Sequence, residues 1–188
     1  MPKLWNETIE AHRAQVRDAI LDAAAALAME HGLRGVTMSQ IAERAGIGRA
    51  TLYKYFSDVD TILRTWHVRQ LDTHLAELVR VREGGGTPGE RLRVVLATYA
   101  HIAWRSASHH RTLARLLVPD EQIANARTQL RALIRELLDE GARAGELRAD
   151  VPVAELAEYS LHALDAAGEF ENEAAVARLV NVVVSSLV

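Results

Sequence analysis

The chain has 188 residues, of which 49% are hydrophobic and 25% charged, with a formal net charge of −3. It contains no run of about 18 apolar residues, and its opening MPKLWNETIE lacks the apolar core of a signal peptide, so a soluble cytoplasmic protein without a membrane partner is expected. With no cysteine, disulfides, thiol catalysis and cysteine metal sites are excluded.

Strand signals are nearly absent, and breakers arrive at helix-length intervals. The pattern predicts an all-α chain of about nine helices, near 7–31, 38–45, 49–55, 58–82, 88–106, 109–117, 121–143, 152–167 and 172–187. The most specific stretch is TMSQIAERAGIGRATLYKYF, Thr37 to Phe56. Thr37 and Gln40 fit a capping box, in which each side chain satisfies an orphan amide of the first turn. Met38, Ile41, Ala42 and Ala45 then make one apolar face. Gly46 stands where a helix commonly ends in the left-handed region. The apolar Ile47 is expected to plug the angle between this helix and the next. A short glycine turn of this kind is what a helix-turn-helix requires.

The helix 49–55 carries two faces. Leu52 and Phe56 are expected in the core, with Arg49, Ala50, Tyr53 and Lys54 on the outer side. Arginine can bond guanine in a fork, and a small methyl can pack on thymine, so Arg49 and Ala50 are candidate base readers. Thr51, Tyr53, Lys54 and Tyr55 are candidate contacts to phosphate. Arg34, Arg44, Arg49 and Lys54 against Glu43 make this region locally basic on an acidic chain.

IAERAGIGRATLYKYF, preceded by Ile20-Leu21-Asp22-Ala23-Ala24 and the Gly32 turn, resembles the N-terminal domain of TetR-family transcriptional regulators over about residues 13 to 64. The resemblance implies a three-helix DNA-binding domain, followed by a helical domain that binds a small molecule and dimerises. It further implies a homodimer, usually a repressor, that leaves double-stranded operator DNA when the effector binds. Thr37 matches a cap position that approaches phosphate. Thr51, Tyr53 and Tyr55 match the T-L-Y-x-Y-F contacts, Lys54 a variable backbone contact, and Arg49 and Ala50 positions that vary with the operator. Two positions depart from the family pattern. Gly48 replaces the usual hydroxyl cap, and Val59 replaces a lysine that commonly touches phosphate. The expected division is a DNA-binding domain at 1–57 and an effector and dimerisation domain at 58–188.

Beyond the turn, Glu83 to Gly89 reads as a flexible connection; no Lys-Ser/Thr follows its glycines, so it is not a phosphate loop. The run Leu92 to Trp104 is apolar almost all round and is expected to be central in a bundle. Candidate effector-lining residues are Trp66, His67, Tyr99, Trp104, Leu113, Leu117 and Ile134. Aromatic side chains with polar tips suit an apolar or aromatic effector. Histidine spacing matches no metal motif, and no nucleophile–base set can be assigned, so neither a metal nor a cofactor nor catalysis is expected. Two helices carry a candidate homodimer face: Leu156, Tyr159 and Ala163 on one, and Val176, Leu179, Val180, Val183, Val184 and Leu187 on the last. The alternative is an all-helical small-molecule-binding module or enzyme whose N-terminal helix pair is only structural.

Overall fold

The computed structural model describes residues 2–117 and 120–188, with the side chains of 2–8, 34, 107–117 and 120 left aside. The described residues form eight α-helices and no strand: α1 Pro2–His31, α2 Met38–Arg44, α3 Arg49–Tyr55, α4 Val59–Arg82, α5 Pro88–Leu117, α6 Asp120–Arg143, α7 Val153–Asp165 and α8 Glu173–Ser185. Short 3-10 turns at Leu33–Gly35 and Ala166–Glu169 join α1 to α2 and α7 to α8. The expected helices 88–106 and 109–117 are one, α5. Serine and histidine at 106–110 are weak helix formers but not breakers, so the backbone ladder runs through them. No helix among the described residues is long and apolar enough to cross a membrane.

The chain divides into two compact units, Met1–Gln70 with Leu113–Val118, and Leu71–Thr112 with Pro119–Val188. In the first unit, Ile20, Ala24 and Leu27 of α1 pack with Ile41, Leu52, Ile62, Leu63 and Trp66. Between residues 9 and 19 only Val16 is part-buried, packed against this core, and the fully packed run of α1 begins at Ile20. Arg69 on α4 ties down the exposed side of α1 through Asp18, at 2.8 Å, and Asp22.

In the second unit, Leu92, Val95 and Leu96 of α5 meet Ile134, Leu137 and Leu138 of α6, Leu161 and Leu164 of α7, and Val176, Val180 and Val183 of α8. The expectation that α5 is central fits this, although Val94 stays 47% exposed. At the end of α6 the chain folds back so that Leu147 covers Gly141. A Cβ at 141 would lie 2.4 Å from Leu147 Cδ1, so any larger residue there would push the Leu147 side chain aside.

Candidate nucleic-acid interface

The reading head is built by local chemistry. The capping box at the start of α2 is present: Gln40 N donates to Thr37 Oγ1 at 3.3 Å, and Thr37 N donates to Gln40 Oε1 at 2.9 Å. The Thr37 hydroxyl also donates to Gln40 Oε1 at 2.7 Å, so its proton is already used within the cap. At the other end, Gly46 sits at φ +68°, where a side chain would be strained. Its amide donates to Glu43 O at 3.1 Å, and Ile47 N donates to Ala42 O at 3.0 Å. These paired bonds are a Schellman termination, and they aim Ile47 at the core of this unit.

That termination fixes where α3 begins. Gly48 caps it with extended backbone and no side-chain bond. Leu52 is fully buried and Phe56 is 4% exposed. The opposite face points outward: Arg49, Ala50, Thr51, Tyr53 and Lys54 are all exposed. Tyr55 differs from the other candidates, since its ring is half-buried against the core of the unit. A missed feature closes the head. Asp58 Oδ1 accepts from Thr61 N at 2.7 Å and so caps α4, while Ser57 Oγ donates to Asp58 Oδ2 at 2.5 Å. The Ser57 hydroxyl, and then the Thr61 amide, hold the Asp58 carboxyl below its ordinary range. The pattern Asp-x-x-Thr before a helix was the available signal.

The basic character of the head is narrower than its arginine count. Arg44 is held by Glu30 of α1 in a bidentate pair at 2.6 and 2.8 Å, and Arg34 lies outside the described side chains. Arg49 and Lys54 make no ion pair among the described residues and keep their donors for solvent or a ligand.

The candidate effector residues scatter. Trp66 is 8% exposed in the core of the first unit, with its ring 6.3 Å from that of half-buried His67. In the second unit, Ile134 is fully buried core. Tyr99 donates to Asp165 Oδ1 at 2.5 Å, and Asp165 is also held by Arg127 at 2.6 Å. Burial first, and the Asp165 bond second, push the Tyr99 phenol above its ordinary range. Trp104 Nε1 donates to Phe170 O at 2.9 Å. Thus the polar tips of Tyr99 and Trp104 are spent on bracing α5 against α7 and the segment that follows it. Leu113 and Leu117 lie outside the described side chains.

A groove of about 550 Å³ runs along the outer side of α5, lined by Val94, Ala97, His101, Ala177 and Asn181 among others, and none of the expected lining residues whose side chains are described is among them. Its polar groups are largely paired: Arg93 donates to Asn181 at 2.9 Å, and His101 meets Glu173 at 3.1 Å.

The candidate dimer residues separate cleanly. Leu156, Val176, Val180, Val183 and Leu187 are buried in the core of their own unit, so they are not available to a partner. The apolar run of α8 covers both its faces, and the 4-3-4 spacing of 176, 180, 183 and 187 is its inner one. Ala163, Leu179 and Val184 are partly buried, and Tyr159 remains 45% exposed. Val182, at 64% exposure, was not among the candidates, although it lies one turn from Leu179.

Comparison with known proteins agrees with this architecture. Residues 20–64 match the bacterial regulatory proteins of the tetR family, and residues 93–187 match the C-terminal domain of SbtR-like transcriptional regulators. The chain belongs to the TetR family of transcriptional regulators, a family of helix-turn-helix DNA-binding proteins and not of enzymes. It is 33% identical over 114 residues to the transcriptional regulator HbdR of Aromatoleum sp., covering 55% of this chain and 50% of that one. It is 37% identical over 87 residues to the transcriptional repressor KstR of Mycolicibacterium smegmatis, covering 46% and 42%. The chain therefore spans about half the length of these relatives or less.

Among solved structures, a TetR/AcrR-family regulator from Thermobifida fusca aligns with a TM-score of 0.76 at 21% identity, over 89% of this chain and 96% of that one. FadR from Bacillus subtilis, solved in complex with stearoyl-CoA, aligns with a TM-score of 0.68 at 19% identity, over 90% and 98%. At these identities the structures establish the fold.

Proposed function

We propose that the protein is a homodimeric, ligand-responsive repressor that binds a palindromic operator through α3, Arg49–Tyr55, and is released by a small apolar or aromatic effector. Residues 1–57 serve as the reading domain and 58–188 as the effector and dimerisation domain. The observation that carries the reading is the outer face of α3, where Arg49, Ala50, Tyr53 and Lys54 stand exposed on a helix fixed at both ends. Arg49 and Ala50 would face bases, while Thr51, Tyr53, Lys54, Tyr55 and Thr37 would hold the phosphate backbone. Thr37 would have to turn its proton away from Gln40 to do so.

Repression follows the sense of KstR, the relative described as a repressor. The homodimer would form through the outer side of α7 and α8, where Tyr159, Leu179 and Val182 keep apolar surface. A randomised duplex pool incubated with the protein near physiological salt tests the reading. Enrichment of a palindrome with half-sites about one helical turn apart, or a multiple of it, is the expected result. Retention without enrichment, falling smoothly with salt, would mean phosphate attraction only and would overturn it.

A further inference from the structure

Arg17 of α1 places its guanidinium carbon 5.6 Å from the centroid of the Phe56 ring. Phe56 is the residue that closes α3, and it is 4% exposed. A guanidinium at this range is attracted to the face of the ring, which limits where the long side chain can swing. Arg17 itself is exposed and makes no ion pair among the described residues. Asp18 beside it in the chain, and Asp58 two residues beyond Phe56, are engaged elsewhere. Asp18 pairs with Arg69 at 2.8 Å, and Asp58 holds Ser57 and Thr61 at 2.5 and 2.7 Å. The ring engages the face of the guanidinium, while its N–H donors, at the edge of that plane, make no hydrogen bond among the described residues.

We propose that Arg17 is a DNA-backbone contact, a phosphate clamp supplied by α1 at the C-terminal end of α3. Arg49 stands at the opposite end of the same helix. Seven helical residues span about 10 Å, close to the roughly 12 Å width of a major groove. Long cationic side chains at the two ends of a helix of this length can reach phosphates on either side of the groove. Such a contact positions the helix and reads no base.

The inference rests on the DNA-binding reading above, and one salt titration separates the two. The probe is a mixed-sequence duplex of about 30 base pairs, bound by the wild type, Arg17→Leu and Arg17→Lys chains over about 50 to 200 mM potassium chloride. Leucine keeps the ring covered and removes the charge. Arg17→Leu should bind about tenfold more weakly at low salt, with the salt slope reduced by about 0.9. Arg17→Lys should keep the wild-type slope. An unchanged slope in Arg17→Leu overturns the clamp, whatever its affinity, because a purely structural role would weaken binding without removing a phosphate contact. If the wild type itself fails to bind the duplex, the DNA-binding reading falls and the clamp falls with it.

Discussion

Lys54 and Arg44 carry the same charge and differ in what it is tied to. Glu30 neutralises Arg44 through two bonds of 2.6 and 2.8 Å, whereas Lys54 is exposed without an ion pair among the described residues. Lys54→Ala should therefore weaken binding to every duplex alike and reduce the salt slope by about one, read from affinity against log salt. Loss confined to one sequence would contradict the assignment. The difference between these residues was not legible in the chain, because Glu30 and Arg44 stand fourteen positions apart and meet only through the packing of α1 on α2. What was legible is what closes within one turn. The Thr37–Gln40 box, the left-handed Gly46 and the buried Leu52–Phe56 pair all follow from spacings of one to four residues.

Elements end where their orphan amides find partners, and the start of α4 illustrates this. Val59 lacks the lysine common at that position in the family, and it is the carboxylate of Asp58, just before it, that caps the helix. Asp58→Ala should cost the fold about 1 kcal/mol, measured as a lowered unfolding midpoint, while Asp58→Asn keeps most of the cap. The pKa of Asp58 is lowered in the fold from its ordinary 3.8. Its contribution is thus fully present above that value and is lost as pH falls through the folded pKa. The midpoint of Asp58→Asn should accordingly fall less than that of the wild type when pH is lowered below about 3.8. Equal acid sensitivity would assign the loss to other carboxylates. Long apolar helices were harder to divide. Nothing in residues 106–110 breaks a helix, and α5 runs on to Leu117, where two helices were expected.

At the scale of the whole molecule, the same apolar run on α8 has a buried and an exposed face that apolar composition alone does not separate. Val183 is 1% exposed and Val182 is 64% exposed, although they are chain neighbours. Val183→Asp should bury an unpaired charge and cost at least about 3 kcal/mol, seen as a collapse of the unfolding midpoint. Val182→Asp should leave the helical content and midpoint intact and shift sedimentation from dimer to monomer. A dimer that survives Val182→Asp would place the partner face elsewhere. The effector residues were least legible, because aromatic tips with helical spacing look alike whether they face a cavity or, as with Tyr99 and Trp104, brace neighbouring elements at 2.5 and 2.9 Å. The central claim is that α3 reads DNA, and binding-site selection with the Arg49→Ala chain, set beside the wild type, tests it most directly. The account predicts that one base position in each half-site loses its preference while the rest of the palindrome and its spacing persist. An unchanged profile, or the loss of every position together, would contradict it.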